Sequence, residues 1–226
     1  MYNNDVVIIR TSREIVPDDR PTRSEICEFS SRARKRLAFI ASNTPIEFET
    51  MVTLTYPKSY PTNGLAVKGD FSVWRKRYQR RFSDSYLWFL EFQARGAPHI
   101  HYLTTTPARE IDKLWLSSSW YEVVASGDQK HLLAGTRVEE LRQKGAWYAL
   151  KYAGKMRQKK VPENYRNVGR FYGHSRDVAP QPIIDATGNL DEIFEGHEGY
   201  KELLESGYRV IFRSSGTVAS NLIKGE

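Results

Sequence analysis

The sequence predicts an α+β fold, and three observations carry that prediction. Two strand-like runs, Tyr86 to Gln93 and His99 to Thr105, are separated only by ARGAP, a spacing that makes an antiparallel hairpin the simplest arrangement. Stretches with helical periodicity lie before, between and after the strand-like runs. Hydrophobic residues make up 40% of the 226 positions and aromatics 12%, enough apolar material for one core in one compact domain.

The elements follow in order. Residues 1–23 hold a short strand-like VVII and a polar, Pro-containing stretch, expected to form a flexible N-terminal arm. Ser24 to Ser42 reads as helix, with Ser24 as N-cap and Glu25 and Glu28 in its first turn. MVTLTYP (51–57) has the β-branched content and alternation of a strand closed by Pro57. A Pro-, Asn- and Gly-containing loop at 57–64 leads into a basic helix at about 66–82. Both faces of YLWFLEFQ are mostly apolar, so this strand is expected to be central and covered. Residues 108–124 read as helix, 131–139 as strand and 144–157 as helix. A short VGRFYGHSR segment, a Pro-rich linker at 179–182 and a terminal acidic helix and strand complete the chain. The expected domains are the arm 1–23, a catalytic domain 24–180, and an acidic extension 181–226 packed on that same domain.

Charge is unevenly spread. The chain is net +7, yet residues 181–226 carry eight acids and four bases, leaving +11 on residues 1–180. Basic clusters at Arg32–Arg36, Arg75–Arg81 and Lys155–Lys160 suit either a nucleic-acid backbone or a solvated helix face. Trp74, Tyr78 and Phe82 interleave with the second cluster, where they could stack on bases, and Trp74 could equally be core. The single cysteine, Cys27, excludes an intrachain disulfide and a cysteine-based zinc site, and fits a reducing compartment. Apolar runs such as Leu37 to Ala41 are far short of a membrane span, and the start has too short an apolar run for a secretory signal. A soluble, cytoplasmic protein without membrane association is expected.

Two constellations carry chemistry. His99 and His101 are two apart on a strand, so both imidazoles share a face, as metal ligands or as packed structural residues. Glu91, across the hairpin, joins that face only if paired residue numbers sum to an even value, such as Glu91 opposite His99; a one-residue slip turns it away. It would then be a third ligand, and otherwise a salt-bridge partner, for instance of Arg95. Two imidazoles and a carboxylate suit Mg²⁺ or Mn²⁺ as readily as Zn²⁺. On GAWYALKYAGK, Tyr148, Lys151, Tyr152 and Lys155 fall at i, i+3, i+4 and i+7, one helical stripe. Nearby ammonium groups and a divalent cation would favour a phenolate able to attack a phosphodiester, while two plain surface tyrosines give the same pattern.

TLTYP (53–57), the block EFQARGAPHIHYL (91–103) and the helix Tyr148-x-x-Lys151-Tyr152 occur in this order, and their ordered combination resembles the three motifs of the HUH endonucleases. Within these, the chain is most similar to rolling-circle replication initiators of small phages and plasmids. The trailing VGRFYG (168–173) is also similar to a segment such initiators carry. The resemblance implies a central antiparallel sheet flanked by helices, of the ferredoxin-like or RRM-like palm type. It implies His99, His101 and Glu91 as ligands of a divalent metal, Tyr148 as nucleophile, Tyr152 as a second nucleophile and Lys151 as a catalytic helper. The implied reaction nicks and rejoins single-stranded DNA at a replication origin through a 5′-phosphotyrosine. Arg75, Arg77, Tyr78, Arg80, Arg81 and Lys155 are the expected DNA contacts. No GxxxxGK[ST] phosphate loop is present, so a separate host helicase, together with a host DNA polymerase, is the expected partner in the cytoplasm of a cell hosting a virus or plasmid. An HUH-type single-strand transposase and a noncatalytic DNA-binding protein are the alternatives.

Overall fold

The computed structural model describes residues 5–9, 26, 28–141, 161–165, 167–180, 200–204 and 207–213. The chain divides into two compact units, one of Arg23–Ala41 and Ile46–Ala179, the other of Met1–Thr22, Ser42–Pro45 and Pro180–Glu226.

In the larger unit, five antiparallel strands form one sheet. They are β2 (Thr50–Thr55), β3 (Tyr86–Phe92), β4 (Pro98–Thr104), β5 (Thr136–Glu140) and β6 (Tyr172–His174), in the order β5-β2-β4-β3-β6. The fold is therefore α+β with a central antiparallel sheet flanked by helices, as the sequence predicts. The period of two sends alternate side chains to opposite faces, and each face buries a different cluster. Val52, Leu54, Leu90, Ile100 and Tyr102 pack against Val67, Phe71, Trp74 and Tyr78 of α2 (Gly64–Phe82) and Leu116 and Trp120 of α3 (Lys113–Val124). Met51, Leu87, Phe89 and Leu103 point the other way, onto Leu37, Ile40 and Ala41 of α1 (Ser31–Asn43). Burying both faces explains why YLWFLEF reads apolar throughout, and β3 is paired on both sides, by β4 and β6.

The hairpin turn is tight. Gln93 N–H donates to the Ala97 carbonyl at 2.9 Å and Gly96 N–H to the Gln93 carbonyl at 2.8 Å. Gly96 sits at φ +81°, a left-handed conformation that glycine adopts without steric cost. At the start of α2, the Asn63 side chain accepts from Leu65 N–H at 2.8 Å.

Two expected elements are corrected. Helix α1 starts at Ser31, and Glu28 lies outside it. Ser30 supplies the cap, its hydroxyl accepting from Ala33 N–H at 3.3 Å, while the preceding Phe29 stacks on Phe171 at 5.4 Å instead of joining a helix. The stretch expected as strand from 131 begins as a helix, α4 (Gln129–Ala134), started by the Asp128 side chain, and strand β5 follows only from Thr136.

In the smaller unit, β1 (Asp5–Ile9) pairs antiparallel with β8 (Gly207–Arg213), which pairs with β7 (Tyr200–Leu204). The VVII run of the expected arm is thus a sheet strand, and residues 200–204 and 207–213 form two strands where one was expected. The expected helix at 144–157 lies outside the described residues.

Candidate active site on the sheet

The register decides whether the site exists, and it is the one the chemistry needs. Glu91 stands opposite His99, Phe89 opposite His101, and Thr53 opposite His101 on the other side. Glu91, His99, His101 and Thr53 therefore share one face of three adjacent strands. The imidazole centroids of His99 and His101 are 4.7 Å apart, and Phe89 stacks against His101 at 5.0 Å. Helix α1 covers the Met51, Leu87 and Leu103 part of this face, and the carboxylate and imidazoles lie toward the hairpin turn.

Each side chain has a defined partner. His101, 4% exposed, places Nε2 3.3 Å from Glu91 Oε2 and Nδ1 3.1 Å from the Thr53 hydroxyl. His99, half-buried, has Nδ1 2.9 Å from the Gln93 amide nitrogen. The second carboxylate oxygen, Glu91 Oε1, is buried and accepts no hydrogen bond. An unsatisfied buried acceptor of this kind costs about 1–3 kcal/mol, more when charged, and a cation would offset that cost. Among the described residues, no three or more His, Cys, Asp or Glu side chains are gathered as a finished metal cage. What the face offers is the donor chemistry, two imidazoles and a carboxylate with an orphaned oxygen. Glu91 would have to turn from His101 toward a shared point to complete it. Arg95, a candidate partner of Glu91, instead donates to the carbonyls of Tyr56 at 2.6 Å and Pro57 at 2.7 Å and to Gln93 Oε1 at 2.9 Å.

His131 is unrelated to this site. It is buried, with Nε2 donating to the Thr55 carbonyl at 2.9 Å and Nδ1 2.9 Å from the Ser126 hydroxyl. Burial lowers its pKa, so the neutral imidazole acts as a structural pin between α4 and β2.

The expected DNA contacts are distributed by α2. Tyr78 is corrected: its side chain is fully buried against Trp74, Phe82 and Tyr102, where it cannot stack on a base. Val67, Phe71, Trp74 and Tyr78 fall at i, i+4, i+7 and i+11, so Tyr78 belongs to the buried stripe. Arg75 is tied down, donating to the Tyr86 hydroxyl at 2.5 Å. Arg77 pairs with Glu122 at 2.9 Å, and Arg81 pairs with Asp112 at 3.4 Å and lies 4.8 Å over the Trp115 ring. Arg80 is exposed, and with Arg77, Arg81, Trp115 and Ser118 it lines a groove between α2 and α3. That groove lies on the layer opposite the histidines. Tyr148, Lys151, Tyr152 and Lys155 all lie outside the described residues.

Sequence reasoning missed two site neighbours. Gln93 and Thr53 stood inside the recognised blocks, but their contacts depend on strand register rather than on residue type.

Residues 49–157 match a family model for replication-associated proteins of the ORF2 type. The matched stretch runs from the residue before β2 through both histidines and the tyrosine-bearing segment. It supports a replication-initiator role and, with it, interaction with DNA. No curated protein and no solved structure shows significant similarity to the chain. No helix among the described residues is long and apolar enough to cross a membrane.

Proposed function

We propose that this chain is a nicking and joining endonuclease for single-stranded DNA that initiates rolling-circle replication. The observation that carries this reading is the shared face of Glu91, His99 and His101 within the stretch that matches the replication-associated family model. A divalent cation, Mg²⁺ or Mn²⁺, bound by these three side chains would polarise the scissile phosphate and offset the charge that grows in the transition state.

The remaining work falls to the chain's own residues. Three ligands on adjacent strands hold their spacing because the ladder fixes it, so little ordering is needed when DNA arrives. The Tyr148 phenolate attacks phosphorus in line; the bond from phosphorus to the 3′ oxygen breaks and that oxygen takes up a proton. The products are a 5′-phosphotyrosine and a free 3′-hydroxyl. Lys151 stabilises the phenolate and Lys155 holds a phosphate oxygen. Tyr152, one helical turn along, makes the second attack, which releases and circularises the displaced strand. Rejoining needs no added energy, because the phosphotyrosine keeps the phosphodiester bond energy. A host polymerase extends the 3′-hydroxyl and a host helicase opens the duplex, in the host cytoplasm. The exposed arginine side of α2 holds DNA outside the scissile step.

The test is a labelled single-stranded origin oligonucleotide with Mn²⁺. The parent chain forms an adduct that survives SDS, and Tyr148→Phe loses it. Adduct retained in that variant would move the nucleophile elsewhere. No adduct with the parent chain would leave a noncatalytic DNA-binding protein.

A further inference from the structure

We infer that Gln93, pinned by Arg95, is a positioning residue that fixes the tautomer of His99 and so sets how readily the site takes up a cation; the cation itself rests on the reading above. Arg95 Nε lies 2.9 Å from one terminal atom of the Gln93 amide. A guanidinium only donates, so the atom facing it is the carbonyl oxygen, Oε1. The amide nitrogen then faces the other way, 2.9 Å from His99 Nδ1. An amide nitrogen also only donates, so Nδ1 accepts, and in the neutral ring the proton sits on Nε2.

Arg95 is poorly placed to swing aside. Its two other nitrogens donate to the Pro57 and Tyr56 carbonyls at 2.7 and 2.6 Å. Tyr60 lies under the guanidinium at 5.1 Å, and its hydroxyl donates to the Arg95 carbonyl at 2.6 Å. His101 is held differently. The Thr53 hydroxyl, 3.1 Å from its Nδ1, can donate or accept, so it serves either tautomer.

The two histidines therefore meet a cation on unequal terms. Binding through His99 Nε2 requires a proton on Nδ1, and the amide must then turn over, setting its NH₂ against the Arg95 N–H. Binding through Nδ1 requires Gln93 to leave. Ligating histidines usually donate the other ring N–H to an acceptor, and groups in that position change metal affinity by about 10–100-fold. Gln93 presents a donor where an acceptor would favour the metal-ready ring, and it works as a latch.

The experiment uses the full chain, metal-free and ¹⁵N-labelled, at about pH 8, where an ordinary imidazole is neutral. A long-range ¹H–¹⁵N correlation spectrum reports which ring nitrogen of His99 carries the proton, and titration calorimetry with Mn²⁺ reports affinity. The parent shows the Nε2–H tautomer. Gln93→Glu, whose carboxylate accepts from both Arg95 and His99, shows Nδ1–H and binds Mn²⁺ about tenfold tighter or more. Gln93→Met removes the donor without adding charge; it shows both tautomers and binds Mn²⁺ a few-fold tighter, which separates the latch from plain electrostatics. A parent with Nδ1–H, or affinity unchanged in both variants, overturns the inference. The covalent-adduct assay is read separately. A parent that forms adduct yet shows Nδ1–H sinks the latch alone, and a parent that forms no adduct sinks the cleavage reading while the spectrum still decides the latch.

Discussion

Asp84, just before β3, is a second buried carboxyl, and its surroundings differ from those of Glu91. It is 9% exposed and accepts hydrogen bonds from the Thr104 hydroxyl, the Gln79 amide and, at 3.3 Å, the Tyr102 hydroxyl. Burial outweighs those donors and pushes its pKa up to about 6. The folded state thus binds this proton more tightly than the unfolded chain, whose aspartates titrate near 3.9. The stabilisation is fully present below about pH 4 and is lost as pH rises through about 6, with a magnitude of at most about 3 kcal/mol. Asp84→Asn removes the titration. Urea unfolding at about pH 4.5 and 7.5 should show the parent gaining stability relative to the variant at the lower pH, and parallel pH profiles would exclude Asp84 as the source. None of this was legible in the sequence, where Asp84 is one polar residue in a turn. Its neighbours Tyr102 and Thr104 arrive from the other strand of the hairpin. Thr53 was hidden for the same reason: it meets His101 only because β2 and β4 pair in that register.

Among the elements, the hairpin was the most legible, because a short turn and a period of two leave few registers and only one parity puts Glu91 with the histidines. The start of α1 and the strand expected from 131 were not legible. Phe29 is drawn to Phe171, and His131 bonds the Thr55 carbonyl; both contacts join residues far apart in the chain. The VGRFYG segment was recognised without a role, and its contacts are structural. Val168 and Phe171 are buried in the core, Leu90 N–H donates to the Phe171 carbonyl at 2.8 Å, and Lys68 donates to the Arg170 carbonyl. Gly173 lies so close to the Trp88 indole that a Cβ there would meet its Nε1 at 2.8 Å. Trp88 is itself held by Phe71 at 5.0 Å and by the Lys68 ammonium at 4.1 Å, so it has little room to give. Gly173→Ala should therefore lower stability by about 1–3 kcal/mol, read as a lower urea midpoint with unchanged slope. An unchanged midpoint would mean that β6 adapts at no cost.

Across the whole molecule, the sheet separates two kinds of chemistry. The carboxylate and imidazoles occupy the face shared with α1, and the arginines of α2 lie beyond the opposite face. A DNA strand engaged at the histidines cannot touch Arg80 and Arg81 at the same nucleotide, so these arginines bear on affinity and not on the bond that breaks. Of the +11 on residues 1–180, only charges that meet phosphate release counterions, and each contributes about one unit to the salt dependence of binding. Arg81 spends part of its charge on Asp112 and Arg77 on Glu122, but exposed pairs of this kind are worth about 0–1 kcal/mol and yield to a phosphate. The double change Arg80→Ala, Arg81→Ala should weaken binding to origin DNA and reduce the slope of log affinity against log salt by about 1–2. Its cleavage rate at saturating DNA should match the parent. His101→Ala should do the reverse, binding DNA with the parent's salt slope while losing the adduct. Fluorescence anisotropy across a salt series, paired with single-turnover cleavage, measures both. An unchanged slope in the double variant would remove α2 from the DNA path, and a fall in its saturated rate would mean that the two faces act on the same nucleotides after all.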